Sequence, residues 1–171
     1  MSNHFGSIDD VILMDYNENY PLLFEAERDL LLQLLPDDLV RIDHVGSTAI
    51  PGIKSKPIID MQSGLVEYPL SSLKLEILAS NGYVYRRDKA DANHQFFFKG
   101  LPRTHHLHLY PANYAKLKEH ILFRDYLINH PETAWAYQQL KISLAARFYD
   151  NREAYTDSKT EFIQGVLRKC K

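Results

Sequence analysis

The sequence contains one cysteine, one tryptophan and three methionines among 171 residues, and it carries little net charge. Because the single cysteine is Cys170, no disulfide can form within the chain, which favours a reducing compartment. The formal net charge of −2 gives no basic field for a polyanion, so we expect no nucleic-acid partner. No stretch approaches the roughly 20 apolar residues of a membrane span. Residues 1–10 have neither the apolar nor the basic segment of a signal peptide, so we expect a cytoplasmic protein without a membrane partner.

The composition is that of a folded domain. The apolar fraction of 45% is typical of globular proteins, and 171 residues are enough to bury a core. No repeat or linker divides the chain. We therefore predict a single domain over residues 1–171, with a flexible tail at 1–10 and a helical part at 113–171.

Hydrophobic periodicity predicts an α+β fold. Apolar residues at three- and four-residue spacing indicate a helix from about Asn19 to Leu35, and a second helix is expected at 72–81 behind a serine cap. The runs His94–Lys99 and Thr104–Tyr110, separated by a glycine- and proline-containing turn, are typical of a hairpin. We expect a mixed β-sheet of about five strands flanked by helices, with a C-terminal helical bundle whose last helix begins near Asn151.

The stretch from Val40 to Leu65 carries the strongest chemical signals. Val40 and Ile42 alternate with polar residues, which predicts a strand with both apolar side chains on one face. The strand is expected to stop at a Gly-Ser-Thr turn that opens a short helix. Backbone N–H groups at a helix start bind phosphate, so the turn is a candidate phosphate site. Its residues are Gly46, Ser47 and Thr48.

Two lysines and a second strand follow this turn. Lys54 and Lys56 add positive charge, and Asp60 and Gln62 share one face of the strand because they are two residues apart. A carboxylate there can hold a magnesium ion that bridges to a phosphate. The alternative is a structural turn, with Asp60 in a salt bridge to Lys54, Lys56 or an arginine.

The sequence motifs of this stretch resemble the signature of the GrpB family, within the nucleotidyltransferase superfamily. The central matches are His44–Gly52 and Lys56–Asp60. Further likeness covers nearly the whole chain, at Arg103–Leu109, Phe123–Leu127, Leu140 with Lys141, Tyr155, Lys159, and Phe162 with Ile163.

The resemblance implies a nucleotidyltransferase-like fold that binds a nucleoside triphosphate with Mg²⁺ and transfers a nucleotidyl group to an acceptor that the sequence does not name. It implies that Ser47 contacts the terminal phosphates and that Asp60 holds the metal. Gln62 departs from the superfamily pattern, because it stands where a second carboxylate is expected and a neutral amide holds a metal less strongly. The departure weakens the expected metal site and leaves the fold intact.

His106 and His108 form a second candidate group. They share a strand face and are able to ligate one transition metal or share a proton transfer, so we group them with Asp60 as catalytic candidates. The metal-ligating candidates are these three residues and Gln62. Zn²⁺ prefers four ligands, and His94 is the candidate for a fourth ligand beside Asp60, His106 and His108. If the hairpin adjoins the Asp60 strand, the pair occupies the place of the superfamily's third carboxylate. The alternative is two partly exposed histidines hydrogen-bonded on a sheet face.

Three functions remain open from the sequence. The first is a nucleotidyltransferase that takes a nucleotide and an unknown acceptor. The second is a nucleotide- or anion-binding module without turnover. The third is a phosphoester hydrolase that uses Zn²⁺ or Mn²⁺ on the His-x-His face. The sequence also leaves open whether the protein is a monomer or a homodimer.

Overall fold

The chain folds around one mixed five-stranded sheet, seen in a computed structural model that describes residues 10–170. The predicted flexible tail therefore lies, apart from Asp10, outside the described residues. The strands run in the order β1-β2-β5-β4-β3, with β2 and β5 parallel and the other neighbours antiparallel. They are β1 (Leu39–Val45), β2 (Ile59–Leu65), β3 (Tyr83–Tyr85), β4 (Gln95–Lys99) and β5 (His105–Pro111).

Helices follow the predicted plan closely. They are α1 (Tyr20–Leu34), α2 (Ser72–Ser80), α3 (Ala115–Asn129), α4 (Pro131–Arg147), α5 (Arg152–Asp157) and α6 (Thr160–Lys169). The Ser71 side chain caps α2, since it accepts a hydrogen bond from the Lys74 backbone N–H. The single last helix expected from Asn151 is in fact two, because α5 ends at Asp157 and α6 begins at Thr160. Among residues 10–170, no helix has the length and apolar character needed to cross a bilayer.

The two faces of the sheet have different roles. One face is apolar and packs against α1 and α2, with Met61, Leu107 and Leu109 fully buried among residues of those helices. Strand alternation turns Asp60, Gln62, His106 and His108 to the opposite face, where α3 covers only part of the sheet.

Val40 corrects one detail of the predicted strand. Its side chain is 59% exposed, whereas Leu39 and Ile42 are both buried. The pairing of β1 with β2 shifts register between Leu39 and Ile42, and such an irregularity reverses the side-chain alternation. The expectation that Val40 and Ile42 share a buried face is therefore wrong.

A second apolar cluster joins the C-terminal helices to the turn that follows β1. Ile50 and Ile53 pack among Phe123 of α3, Tyr137 of α4 and Val166 of α6. The bundle therefore lies next to the part of the sheet that α3 leaves uncovered and forms one wall of the space there.

Glu27 ties α1 to the far edge of the sheet. Its buried carboxylate accepts hydrogen bonds from the Tyr83 hydroxyl and the Lys99 amine, both at 2.7 Å. Burial alone would raise the Glu27 pKa, but these donors and the nearby His105 outweigh it, so the pKa lies below the ordinary value. The ionised carboxylate thus stabilises the fold above the unfolded pKa, and this stability is lost as pH falls through the folded pKa.

We predict that Glu27→Gln lowers the free energy of unfolding by about 1–3 kcal/mol at neutral pH, because a charged acceptor of two hydrogen bonds is lost. Denaturant titration from pH 7 to pH 3 measures the effect, which should shrink as the wild-type carboxylate protonates. Glu25→Gln, at an exposed position of the same helix, is the control. Equal losses in the two variants would contradict the assignment.

Candidate functional site

The floor of the site is the parallel pair β2 and β5. Their register sets Asp60 beside His106 and Gln62 beside His108. The Asp60 Oδ1 and His106 Nδ1 atoms are 2.8 Å apart, so the carboxylate and imidazole are hydrogen-bonded. Asp60, His106 and His108 line a cleft of about 850 Å³ between the sheet and the C-terminal helices.

Asp60 keeps its charge at the bottom of this cleft. Its side chain is 29% exposed, and its ion-pair partner among the described residues is His106 rather than a lysine or arginine. Burial alone would raise the Asp60 pKa, but the hydrogen bond from His106, together with the basic side chains nearby, holds it well below its ordinary range. Asp60 is therefore an ionised acceptor facing the cleft.

His108 is held by another imidazole. Its Nδ1 lies 2.9 Å from His94 Nε2, and the two rings stack with centroids 5.1 Å apart. Burial lowers the pKa of His108 well below its ordinary value, so its ring is neutral at physiological pH. Because Nδ1 is engaged by His94, Nε2 is the nitrogen left for a ligand. His94 thus lies behind His108 and does not join the ligand group.

Asp60, His106 and His108 fit a metal ion by geometry and donor type. One ligand atom from each residue lies within 4.8 Å of the other two. Within residues 10–170, the buried His106 Nε2 has no hydrogen-bond partner. Two imidazole nitrogens and one carboxylate oxygen suit Zn²⁺ or Mn²⁺, whereas Mg²⁺ prefers oxygen ligands.

Gln62 is not brought to this group. It is fully buried, its Nε2 donates to the Leu117 carbonyl at 2.8 Å, and its Oε1 lies 2.7 Å from His120 Nδ1. Burial lowers the pKa of His120 to about 4, which keeps that imidazole neutral. Gln62 therefore links β2 to α3, and its amide nitrogen and oxygen are both engaged in hydrogen bonds to that helix.

The turn after β1 is shorter than the predicted helix start. Ser47–Ala49 forms one 3₁₀ turn, too short to supply the aligned amides of an α-helix N-terminus. The Thr48 hydroxyl donates to the Ile58 carbonyl at 3.1 Å and lies 2.9 Å from His44 Nε2, so it holds the turn in place. Ser47 is left beside the cleft, near the Tyr137 hydroxyl.

The two lysines predicted to lie at the phosphate site, Lys54 and Lys56, lie in different surroundings. The Lys54 amine pairs with Asp15 and is not among the residues that line the cleft. Lys56 lines the cleft together with Tyr155 and Lys159. Lys141 is buried behind this wall, where its amine donates to the Lys54 carbonyl.

Sequence reasoning missed Tyr155 and Lys159 as site residues. The sequence identifies both residues only as positions of family likeness and assigns them no role in the site. Their four-residue spacing is the one local signal, since it places them near each other on helical backbone. Their approach to Lys56 depends on how the C-terminal bundle packs on the sheet, which no local pattern reveals.

Comparison with known proteins settles the family. A protein-family model described as GrpB protein matches residues 10–169. The chain belongs to the GrpB family. The family resemblance drawn from the motifs is thus confirmed, while the wider nucleotidyltransferase assignment stays a prediction.

Relatives and a solved structure agree with this assignment. The UPF0157 protein YqkA of Bacillus subtilis (strain 168) is 37% identical over 157 residues, which cover 91% of this chain and 46% of that protein. The glutamate-rich protein GrpB of Alkalihalophilus pseudofirmus is 33% identical, with 94% of this chain and 95% of that protein covered. The crystal structure of conserved protein GrpB from Enterococcus faecalis has a TM-score of 0.85 at 30% identity, covering 93% of this chain and 96% of that chain.

This GrpB-family chain spans about half of the length of the Bacillus protein, 46%. The three names give no substrate or reaction. The predicted α+β fold and mixed five-stranded sheet are confirmed.

Gly46 permits the close contact between the turn and Asp60. Its φ is +70°, and a Cβ built there would lie 2.5 Å from Asp60 Oδ2. Gly52 also has a positive φ, +78°, but a Cβ there would meet nothing within 4 Å.

We predict that Gly46→Ala destabilises the protein by about 1–3 kcal/mol more than Gly52→Ala, because only the first adds a clash to the backbone strain. Chemical denaturation of the two variants measures the difference. If the two variants lose the same free energy of unfolding, Gly46 is needed only for its positive φ, and its close contact with Asp60 does not affect stability.

Proposed function

We propose that this protein binds a nucleoside triphosphate together with a divalent metal ion on Asp60, His106 and His108, and catalyses substitution at a phosphorus atom. The observation that carries the proposal is the convergence of three ligand atoms, within 4.8 Å of one another, on the floor of an 850 Å³ cleft. A cleft of that size falls in the range of small-molecule and cofactor sites.

The arrangement around Asp60 supports a nucleotidyltransferase-like plan. A Gly-Ser turn follows β1, and the carboxylate of the adjoining strand touches that turn. The plan differs from the superfamily pattern at Gln62, which is occupied by α3. The imidazoles of His106 and His108 on β5 occupy the positions where the superfamily pattern expects carboxylate ligands. Because imidazole nitrogens suit Zn²⁺ and Mn²⁺ better than Mg²⁺, we propose one of these two metals in preference to the Mg²⁺ that the resemblance implies.

Each residue has a role in the proposed reaction. The metal, when bound, would neutralise charge that develops on the phosphate. Asp60 stays ionised and His108 stays neutral, the states in which both are ligands. The Ser47 hydroxyl, which lies beside the cleft, would donate a hydrogen bond to a phosphate oxygen. An acceptor hydroxyl forms the new O–P bond at the α-phosphorus, the bond to the bridging oxygen breaks, pyrophosphate leaves, and the acceptor's proton passes to water.

Hydrolysis is the second candidate, with water in place of the organic acceptor. The two imidazole ligands favour it, because nitrogen-rich sites that bind Zn²⁺ lower the pKa of bound water. The products separate the candidates. Transfer gives pyrophosphate and a nucleotide-labelled acceptor, whereas hydrolysis gives pyrophosphate and a free nucleoside monophosphate. Saturable nucleotide binding without any product would leave a binding module.

We predict that the purified protein retains about one Zn²⁺ or Mn²⁺ per chain, and that Asp60→Asn and His106→Ala lose it while staying folded. Elemental analysis, and assays with labelled ATP, GTP, CTP and UTP, measure metal content and turnover. His105→Ala is the matched control, because His105 neighbours His106 on β5 but points to the opposite face, toward Glu27.

The proposal fails if wild-type protein supplied with Zn²⁺, Mn²⁺ or Mg²⁺ binds no nucleotide. It also fails if His105→Ala and His106→Ala lose metal equally, since the loss would then not be specific to the cleft face.

A further inference from the structure

We infer that Lys56, Lys159 and Tyr155 form a lysine clamp that binds the di- or triphosphate group of the substrate. This inference rests on the proposed function and names the part of the substrate that a second wall of the same cleft recognises. The clamp joins the loop before β2 to α5 and to the residue that precedes α6. All three residues line the cleft that holds Asp60.

Tyr155 fixes the position of both amines. The Lys56 Nζ lies 5.2 Å from the centroid of the Tyr155 ring, and the Lys159 Nζ lies 4.3 Å from it. Cation–π attraction holds ammonium groups at such distances. The ring itself is 1% exposed and is packed with Val11 and Leu144, so it is a rigid support. Two flexible lysines are thereby ordered before any ligand arrives, which reduces the entropy lost on binding.

The two clamp lysines have no ion-pair partner among the described residues. Neither Lys56 nor Lys159 forms an ion pair with a carboxylate of residues 10–170, whereas Lys89 on the same cleft pairs with Glu153 at 2.7 Å. Arg103, Lys141 and Arg152 add electrostatic repulsion around the two lysines, while Asp60 attracts both of them.

The cost of this arrangement shows in the lysine pKa values. Burial, with Arg152 and Lys159 nearby, lowers the pKa of Lys56 to about 7. Burial, partly offset by Asp60, lowers the pKa of Lys159 to about 8. Desolvated cations that repel one another destabilise a folded protein unless an anion joins them. A site maintained at such a cost is one that a bound anion would stabilise.

A polyphosphate matches the clamp better than a single carboxylate. Ammonium groups act as compact point charges with rotatable donors, which suit several phosphate oxygens at once. The metal group on Asp60 opens on the same cleft, so one triphosphate is able to contact both. A polycarboxylate carries comparable charge, and the experiment has to separate it from a polyphosphate.

The clamp predicts opposite effects on stability and binding. Lys56→Met and Lys159→Met keep the methylene contacts and remove a buried charge, so we expect their melting temperatures to equal or exceed that of the wild type. We expect each to weaken binding of inorganic tripolyphosphate at least about tenfold, because a charge-assisted contact is lost. Raised or unchanged melting temperature also shows that the variants fold.

The test is calorimetric titration of inorganic tripolyphosphate into the full chain with EDTA present, which removes any contribution from a metal. Lys89→Met is the matched control, since it removes the same charge from the same cleft at an ion-paired position, and we expect its affinity to stay near that of the wild type. Citrate is titrated in parallel, and we expect it to bind more weakly than tripolyphosphate.

Three results would overturn the clamp: no tripolyphosphate binding by the wild type, equal affinity in the wild type and both clamp variants, or citrate binding as tightly as tripolyphosphate. Failure of the proposed function looks different. A protein that holds no metal and turns over no nucleotide, yet binds tripolyphosphate through Lys56 and Lys159, would refute the enzyme and leave the clamp standing.

Discussion

The parallel pairing of β2 with β5 is the constraint on which the site depends. It brings together two segments that are distant in the chain and aligns Asp60 with His106 and Gln62 with His108. Strand alternation then sends all four side chains to one face, while Met61 and Leu107 enter the core on the other. The apolar core and the polar floor are thus set by a single register, since a slip of one residue would bury Asp60 and expose the core.

The C-terminal helices form the part of the cleft that the sheet does not. The sheet supplies an ionised carboxylate and two imidazoles. The loop before β2 supplies Lys56, and the C-terminal helical region supplies Lys159 and a rigid tyrosine ring. The bundle is anchored on the segment after β1 through Ile50 and Ile53, next to the Gly46 turn that touches Asp60. The Asp60 floor and the lysine clamp therefore face one cleft, which is the arrangement required by the metal-bound phosphate compound that we propose.

Much of the fold was predictable because its signals are local. Helical periodicity located α1 and α2 nearly to the residue, and alternation on β5 correctly placed His106 and His108 on one face of the strand. The β-irregularity that exposes Val40 leaves no clear trace in composition. Likewise, alternation placed Gln62 on the face of Asp60, but only the packing of α3 decides that its amide bonds Leu117 and His120 instead of a ligand. Tyr155 and Lys159 were overlooked for the same reason, as their significance depends on tertiary contact with Lys56.

The most direct measurement of the central claim is the anomalous scattering of Mn²⁺ or Zn²⁺ in crystals of the protein grown with that metal. The account predicts one strong peak in the cleft, about 2.0–2.2 Å from an Asp60 oxygen and from a nitrogen of each of His106 and His108. Crystals grown with the metal that show no peak in the cleft would contradict the account. So would crystals in which the ion binds elsewhere and the Asp60–His106 hydrogen bond stays intact.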